Sequence, residues 1–149
     1  MTFKQKIYFN YLQIIQDKVV MLQQTLTDLK ESGSNETKST AGDKHETALA
    51  MLQIEQANNR GHLQDALEQL AVLQKINPGN ISQKVTNGSL IKTNKGYFFM
   101  SIALGKVVMD DFTIFSLSPQ SPLGAKFMGM SMGDKTNVNG NEYLVEEIL

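Results

Sequence analysis

Two carboxylates three residues apart, Asp43 and Glu46, stand in the stretch AGDKHETA, residues 41–48. Oxygen donors of this kind hold Mg²⁺ and orient its water. At the start of a helix the same pair has a plainer role. An Asp followed three residues later by a Glu, ahead of Ala48, Leu49 and Leu52, is a capping-box-like pattern. There Asp43 accepts a hydrogen bond from a backbone N–H near Glu46 and is favoured by the helix dipole, a contribution of about 0.5–2 kcal/mol. The two roles are compatible, since a capped turn holds both acids in place. Two carboxylates alone make a poor metal site, so the free protein is expected to bind no cofactor. Elsewhere chemistry is sparse: there is no phosphate-binding glycine loop, no Gly-x-Gly-x-x-Gly after a strand and no His-Glu-x-x-His. His45 and His62 fall on different predicted elements and are expected to be exposed polar side chains. A self-contained enzyme is not expected.

The elements that must position these acids follow from periodicity. Tyr8, Leu12, Ile15, Val19, Leu22, Leu26 and Leu29 alternate spacings of four and three, which is a coiled-coil seam. A second seam runs through Leu49, Leu52, Gln56, Asn59, Leu63, Ala66, Leu70 and Leu73. It ends at Ile76, before the breaker Asn77-Pro78-Gly79. Gln56 and Asn59 are expected to set register and to need partners across the hairpin. Between the seams, residues 31–46 lack an apolar anchor apart from Ala41 and are predicted to form an exposed polar tip loop. Two helices of about 28–31 residues, each roughly 40–46 Å long, would fold back as an antiparallel hairpin with that loop at its far end.

After Pro78 the apolar runs become short: residues 89–93, 97–104, 106–109, 112–118 and 143–149 are predicted strands. Asn94-Lys95-Gly96 and Asp110-Asp111 suit turns. Ser121 as N-cap and Pro122 at the first helical position predict one short helix, with a Met-rich face over the sheet. The expected fold class is α+β: an N-terminal antiparallel helical hairpin over 1–77 and a small antiparallel β domain with one short helix over 78–149.

The 149 residues, 41% of them hydrophobic, fit one ordinary domain or two small ones. A net charge of −1 excludes nucleic-acid binding by a strong bulk positive field. Without cysteine there is no disulfide framework, zinc ribbon or thiol nucleophile. No apolar run is long enough to span a membrane and no signal peptide is evident, so a cytoplasmic protein with no membrane contact is expected.

Gly42-Asp43-Lys44-His45-Glu46-Thr47-Ala48, leading into a coiled-coil helix, resembles the Gly-Asp-x-x-Glu-Asn-Ala tip of the bacterial Gre transcript-cleavage factors. Ser121-Pro122-Leu123-Gly124-Ala125, Gly129, Gly133-Asp134 and the closing Glu142–Ile148 segment are similar to the end of the Gre C-terminal domain. The resemblance implies an FKBP-like C-terminal domain that docks at the RNA polymerase secondary channel, with the hairpin reaching toward the active site. It implies that Asp43 and Glu46 help hold a Mg²⁺ shared with the polymerase, which then cleaves the 3′ end of backtracked RNA. The chain would be an accessory factor, a monomer in preference to a dimer, and would meet nucleic acid only through the elongation complex. It departs from the family pattern at Thr47, at Ala50 in place of an aromatic residue, and in the longer polar stretch before Gly42. Those departures motivate one alternative, a secondary-channel regulator that does not stimulate cleavage; another, from a different class, is a coiled-coil adaptor whose acids only cap a helix.

Overall fold

The computed structural model describes the backbone of residues 1–36 and 42–149 and the side chains of 1–34 and 46–149. Two long helices open the chain, α1 (Phe3–Glu36) and α2 (Gly42–Gln74). Both extend into the stretch predicted as a tip loop, α1 to Glu36 and α2 from Gly42. The missing apolar anchor does not stop them, because once a helix is nucleated each added residue gains a hydrogen bond, and Lys30, Glu31 and Lys44 are good helix formers.

The chain divides into two compact units, one of residues 12–71 and the other of residues 1–11 with 72–149. In the first, the heptad pattern is realised: Ile15, Val19 and Leu22 are buried, and the later seam residues of both helices are buried or half-buried among exposed neighbours. The polar seam residues differ from expectation in one respect. Asn59 donates its Nδ2 to the Glu55 carbonyl at 3.1 Å, one turn back on its own helix rather than across the hairpin. Gln56 does face the other helix, its Nε2 lying 3.9 Å from where a Cβ on Gly33 would be.

The second unit holds six strands: β1 (Leu90–Thr93), β2 (Gly96–Met100), β3 (Gly105–Met109), β4 (Phe112–Leu117), β5 (Lys135–Val138) and β6 (Asn141–Ile148). A short helix, α3 (Pro122–Phe127), separates β4 from β5. The sheet order is β3-β4-β2-β1-β6-β5. The predicted α+β class holds, but the sheet is mixed rather than antiparallel, because β2 and β4 pair in parallel, Phe98 opposite Phe115. The strand expected over 97–104 ends at Met100. Beyond it Ser101 leaves the β2 ladder and donates its N–H to the Leu117 carbonyl. The unpredicted strand is β5, joined to β6 by Asn139-Gly140, both at positive φ. That two-residue turn matches the right-handed twist of its strands. Asp110-Asp111, at φ 49° and 65°, does the same between β3 and β4.

Alternation along β2 feeds two faces. Phe98 and Met100 join Ile91, Val145, Val85, Leu117 and Phe127 in one core. Phe99 turns the other way, its ring 5.2 Å from that of Tyr11. Both faces being covered explains why YFFM reads as a continuous apolar run. The short helix buries Phe127 and Gly124 rather than a methionine face. Of the methionines that follow it, Met128 and Met132 are exposed and Met130 packs against this core. An aromatic ring fills the space under α3 with rigid area that a flexible thioether cannot match.

Candidate functional site

The α2 bounds put Asp43 and Glu46 in the first turn of the helix, three residues apart and hence on neighbouring positions of one face. Asp43 therefore falls just inside the helix rather than ahead of it, within the one- or two-residue latitude of a helix boundary. Its side chain, and that of His45, lie outside the described residues. Glu46 is exposed, and so is Thr47, which makes a contact of its own. Near the first turns of α2, Leu49, Leu52 and Gln56 line a shallow groove together with Lys30 and Gly33 of α1. Glu46 precedes Leu49, the first α2 residue of that groove, by three positions.

Among the described residues, no group of three or more His, Asp or Glu side chains could hold a metal ion. His62 is exposed on the shaft of α2, as expected. Asp43 and Glu46 as a pair offer hard oxygen donors of the type Mg²⁺ takes, but fewer than its octahedral shell needs.

The glycines and serine of the C-terminal motif have structural work instead. Ser121 is the N-cap of α3: its Oγ accepts from the Gly124 N–H at 3.0 Å and donates to the Ser118 carbonyl at 2.7 Å. A Cβ on Gly124 would lie 1.9 Å from the Ser118 carbonyl oxygen and 2.9 Å from Leu117 Cδ1, so only glycine fits. Gly129 donates its N–H to the Val85 carbonyl and Gly133 to the Val145 carbonyl. Asp134 Oδ2 accepts from the Ser131 N–H at 2.8 Å. These bonds seat the turn between α3 and β5 against the core, and none presents a reactive group.

Of the lysines that the short strands and turns offer to a partner, Lys92 and Lys106 are exposed. Lys95 lies with its Nζ 5.7 Å from the centroid of the Tyr143 ring, a cation–π contact at the β1–β2 turn. No helix among the described residues is long and apolar enough to cross a membrane.

No protein-family model matches the chain, and no curated protein does. Among solved structures it is similar to one described as the structure of the transcription factor Gfh1. The similarity covers 92% of each chain at 16% identity, with a TM-score of 0.36.

Proposed function

We propose that this chain is a Gre-like transcription elongation factor of the cytoplasm, which binds RNA polymerase at its secondary channel and stimulates Mg²⁺-dependent cleavage of backtracked RNA. The observation that carries the proposal is the placing of two carboxylates, Asp43 and Glu46, in the first turn of a helix of 33 residues, about 50 Å long. Support comes from the Ser-Pro-x-Gly, Gly and Gly-Asp positions of the C-terminal motif, each of which has the structural role its residue type requires. Asp43 and Glu46 would hold the metal shared with the polymerase, which supplies a polarised water as nucleophile when bound. The chain's own contribution is rigid delivery: acids on a helical turn lose less freedom on entering a catalytic site than acids on a loop. The chain itself would not be an enzyme.

The test is to add the protein to stalled, backtracked elongation complexes with Mg²⁺ and follow shortening of the RNA. Cleavage is expected with the natural sequence and is expected to fall at least about tenfold in Asp43→Ala and Glu46→Ala together. That double variant should stay folded, losing no more than the few kcal/mol of a helix start. Cleavage that survives the double substitution overturns the assignment of the acids. Polymerase binding without cleavage by the natural sequence favours the regulator that only occupies the channel, a reading motivated by Thr47 and Ala50. Failure to bind leaves the adaptor.

A further inference from the structure

Within the unit formed by residues 1–11 and 72–149, a cleft of about 680 Å³ opens between the start of α1, the end of α2 and the loop of residues 77–89. Its unusual feature is Lys4, only 6% exposed although it carries a charge. The ammonium donates to the Asn80 carbonyl at 2.6 Å, which uses one of its three N–H groups. Among the described residues no carboxylate pairs with it, and no residue lining the cleft is acidic. Burial lowers the pKa of Lys4, as expected of a cation with too little compensation. Lys75, exposed, adds a second positive charge to the same cleft.

The neutral side chains around the cleft are set to donate. Asn77 Oδ1 is taken by the Gly79 N–H at 2.9 Å, leaving its amide N–H groups to offer. Ser82 Oγ accepts from the Lys84 N–H at 3.4 Å and so retains a hydroxyl hydrogen, while Ser89 Oγ accepts from the Thr86 N–H at 3.0 Å and lies 3.5 Å from Thr86 Oγ1, a pair that shares one hydrogen bond and keeps one hydroxyl hydrogen between them. A cleft with two ammonium groups, spare amide and hydroxyl donors and no acid favours an anion with several oxygens. Its volume lies within the roughly 300–1,000 Å³ of small-molecule sites and is far larger than one ion needs. We propose that this cleft binds the phosphate group of a nucleotide-sized ligand, with Lys4 making the buried charge-assisted hydrogen bonds and Lys75 adding attraction from the rim. The proposal stands apart from the one concerning polymerase and does not rest on it.

The test is thermal unfolding of the full chain, followed by circular dichroism at constant ionic strength, with 5′-AMP, inorganic phosphate, adenosine or acetate added. AMP is expected to raise the midpoint in a saturable way, phosphate to raise it less, and adenosine and acetate to leave it at the chloride value. Lys4→Met, which keeps the length and apolar stem, should retain the spectrum and lose at least about tenfold in apparent AMP affinity. Lys75→Ala, on an exposed residue, provides a second variant that leaves the buried contacts in place and should weaken the response. A shift by adenosine or acetate equal to that by AMP overturns the proposal, as does an AMP response unchanged in both variants. Equal responses to phosphate and AMP would overturn its nucleotide part.

Discussion

Tyr11 is wholly buried, yet among the described residues its hydroxyl finds no hydrogen-bond partner. Ser116 approaches it, but the Ser116 Oγ donates to the Ile102 carbonyl and lies 3.3 Å from Ser101 Oγ. Burial pushes the Tyr11 pKa well above the ordinary tyrosine range, and the nearby Ser116 opposes this only in part. Removing an unsatisfied buried hydroxyl should cost little or help, so Tyr11→Phe is expected to leave stability unchanged or raise it by up to about 1 kcal/mol in urea unfolding. The pH dependence follows from the same shift. A tyrosine in the unfolded chain ionises near pH 10, whereas the buried one keeps its proton, so its stabilising share is complete below that pH and is lost as pH rises above it. Tyr8, whose hydroxyl donates to the Leu73 carbonyl at 2.8 Å, is shifted upward by burial and acts in the same sense. Lys4 acts oppositely. Its lowered pKa means the unfolded chain holds the extra proton just below about pH 10.5, so stability rises with pH across that window. Tyr11→Phe should therefore flatten the fall in stability above about pH 10. A cost well above 1 kcal/mol would show that the hydroxyl is satisfied, and an unchanged slope would show that burial does not hold its proton.

At the scale of elements, the helical seam is the part of the fold most legible in the sequence, because a period near 3.5 residues reports which side of a helix is covered. Asn59 is the place where it is least favourable: half-buried at a seam position, with its amide spent on its own helix. Asn59→Leu breaks no bond across the hairpin and is expected to stabilise the helical unit by roughly 0.5–1.5 kcal/mol, read as a higher midpoint of helix melting. A loss of stability would mean that the amide holds register against a competing alignment. Five of the six strands were legible one by one, but not their pairing. Alternation reports burial of a face, and nothing in YFFM or FTIFS states that β2 and β4 run parallel. The Lys-Thr-Asn-Val stretch of β5 has a single strongly apolar residue, and its strand character comes from pairing with β6. The available signal was Asn139-Gly140, the strongest short hairpin dipeptide. The acids at the start of α2 could be found because their spacing is local. The Lys4 cleft could not, because its residues are scattered from position 4 to 89 and only folding brings them together.

At the scale of the molecule, the two compact units do not follow the chain from end to end, since the sheet unit takes its first eleven residues from the start of α1. Ile7, Tyr8 and Tyr11 from that segment, with Leu73 and Ile76 from beyond residue 71, are all buried. Burying each such side chain contributes about 1.5–3 kcal/mol, against a total stability of about 5–15 kcal/mol for a domain. A piece comprising residues 78–149 alone should therefore melt broadly and at a much lower temperature. A chain in which residues 12–71 are replaced by a short flexible link should keep a single sharp transition. Calorimetry on the two pieces separates these outcomes, and equal, sharp transitions would show that the apolar base of the helices is dispensable. Under the proposed function the linked chain carries a further expectation, because it retains the C-terminal motif but lacks Asp43 and Glu46. It should compete with the full chain for polymerase and give no RNA cleavage. If it folds but fails to compete, the docking contacts lie in the helices and not in the sheet unit.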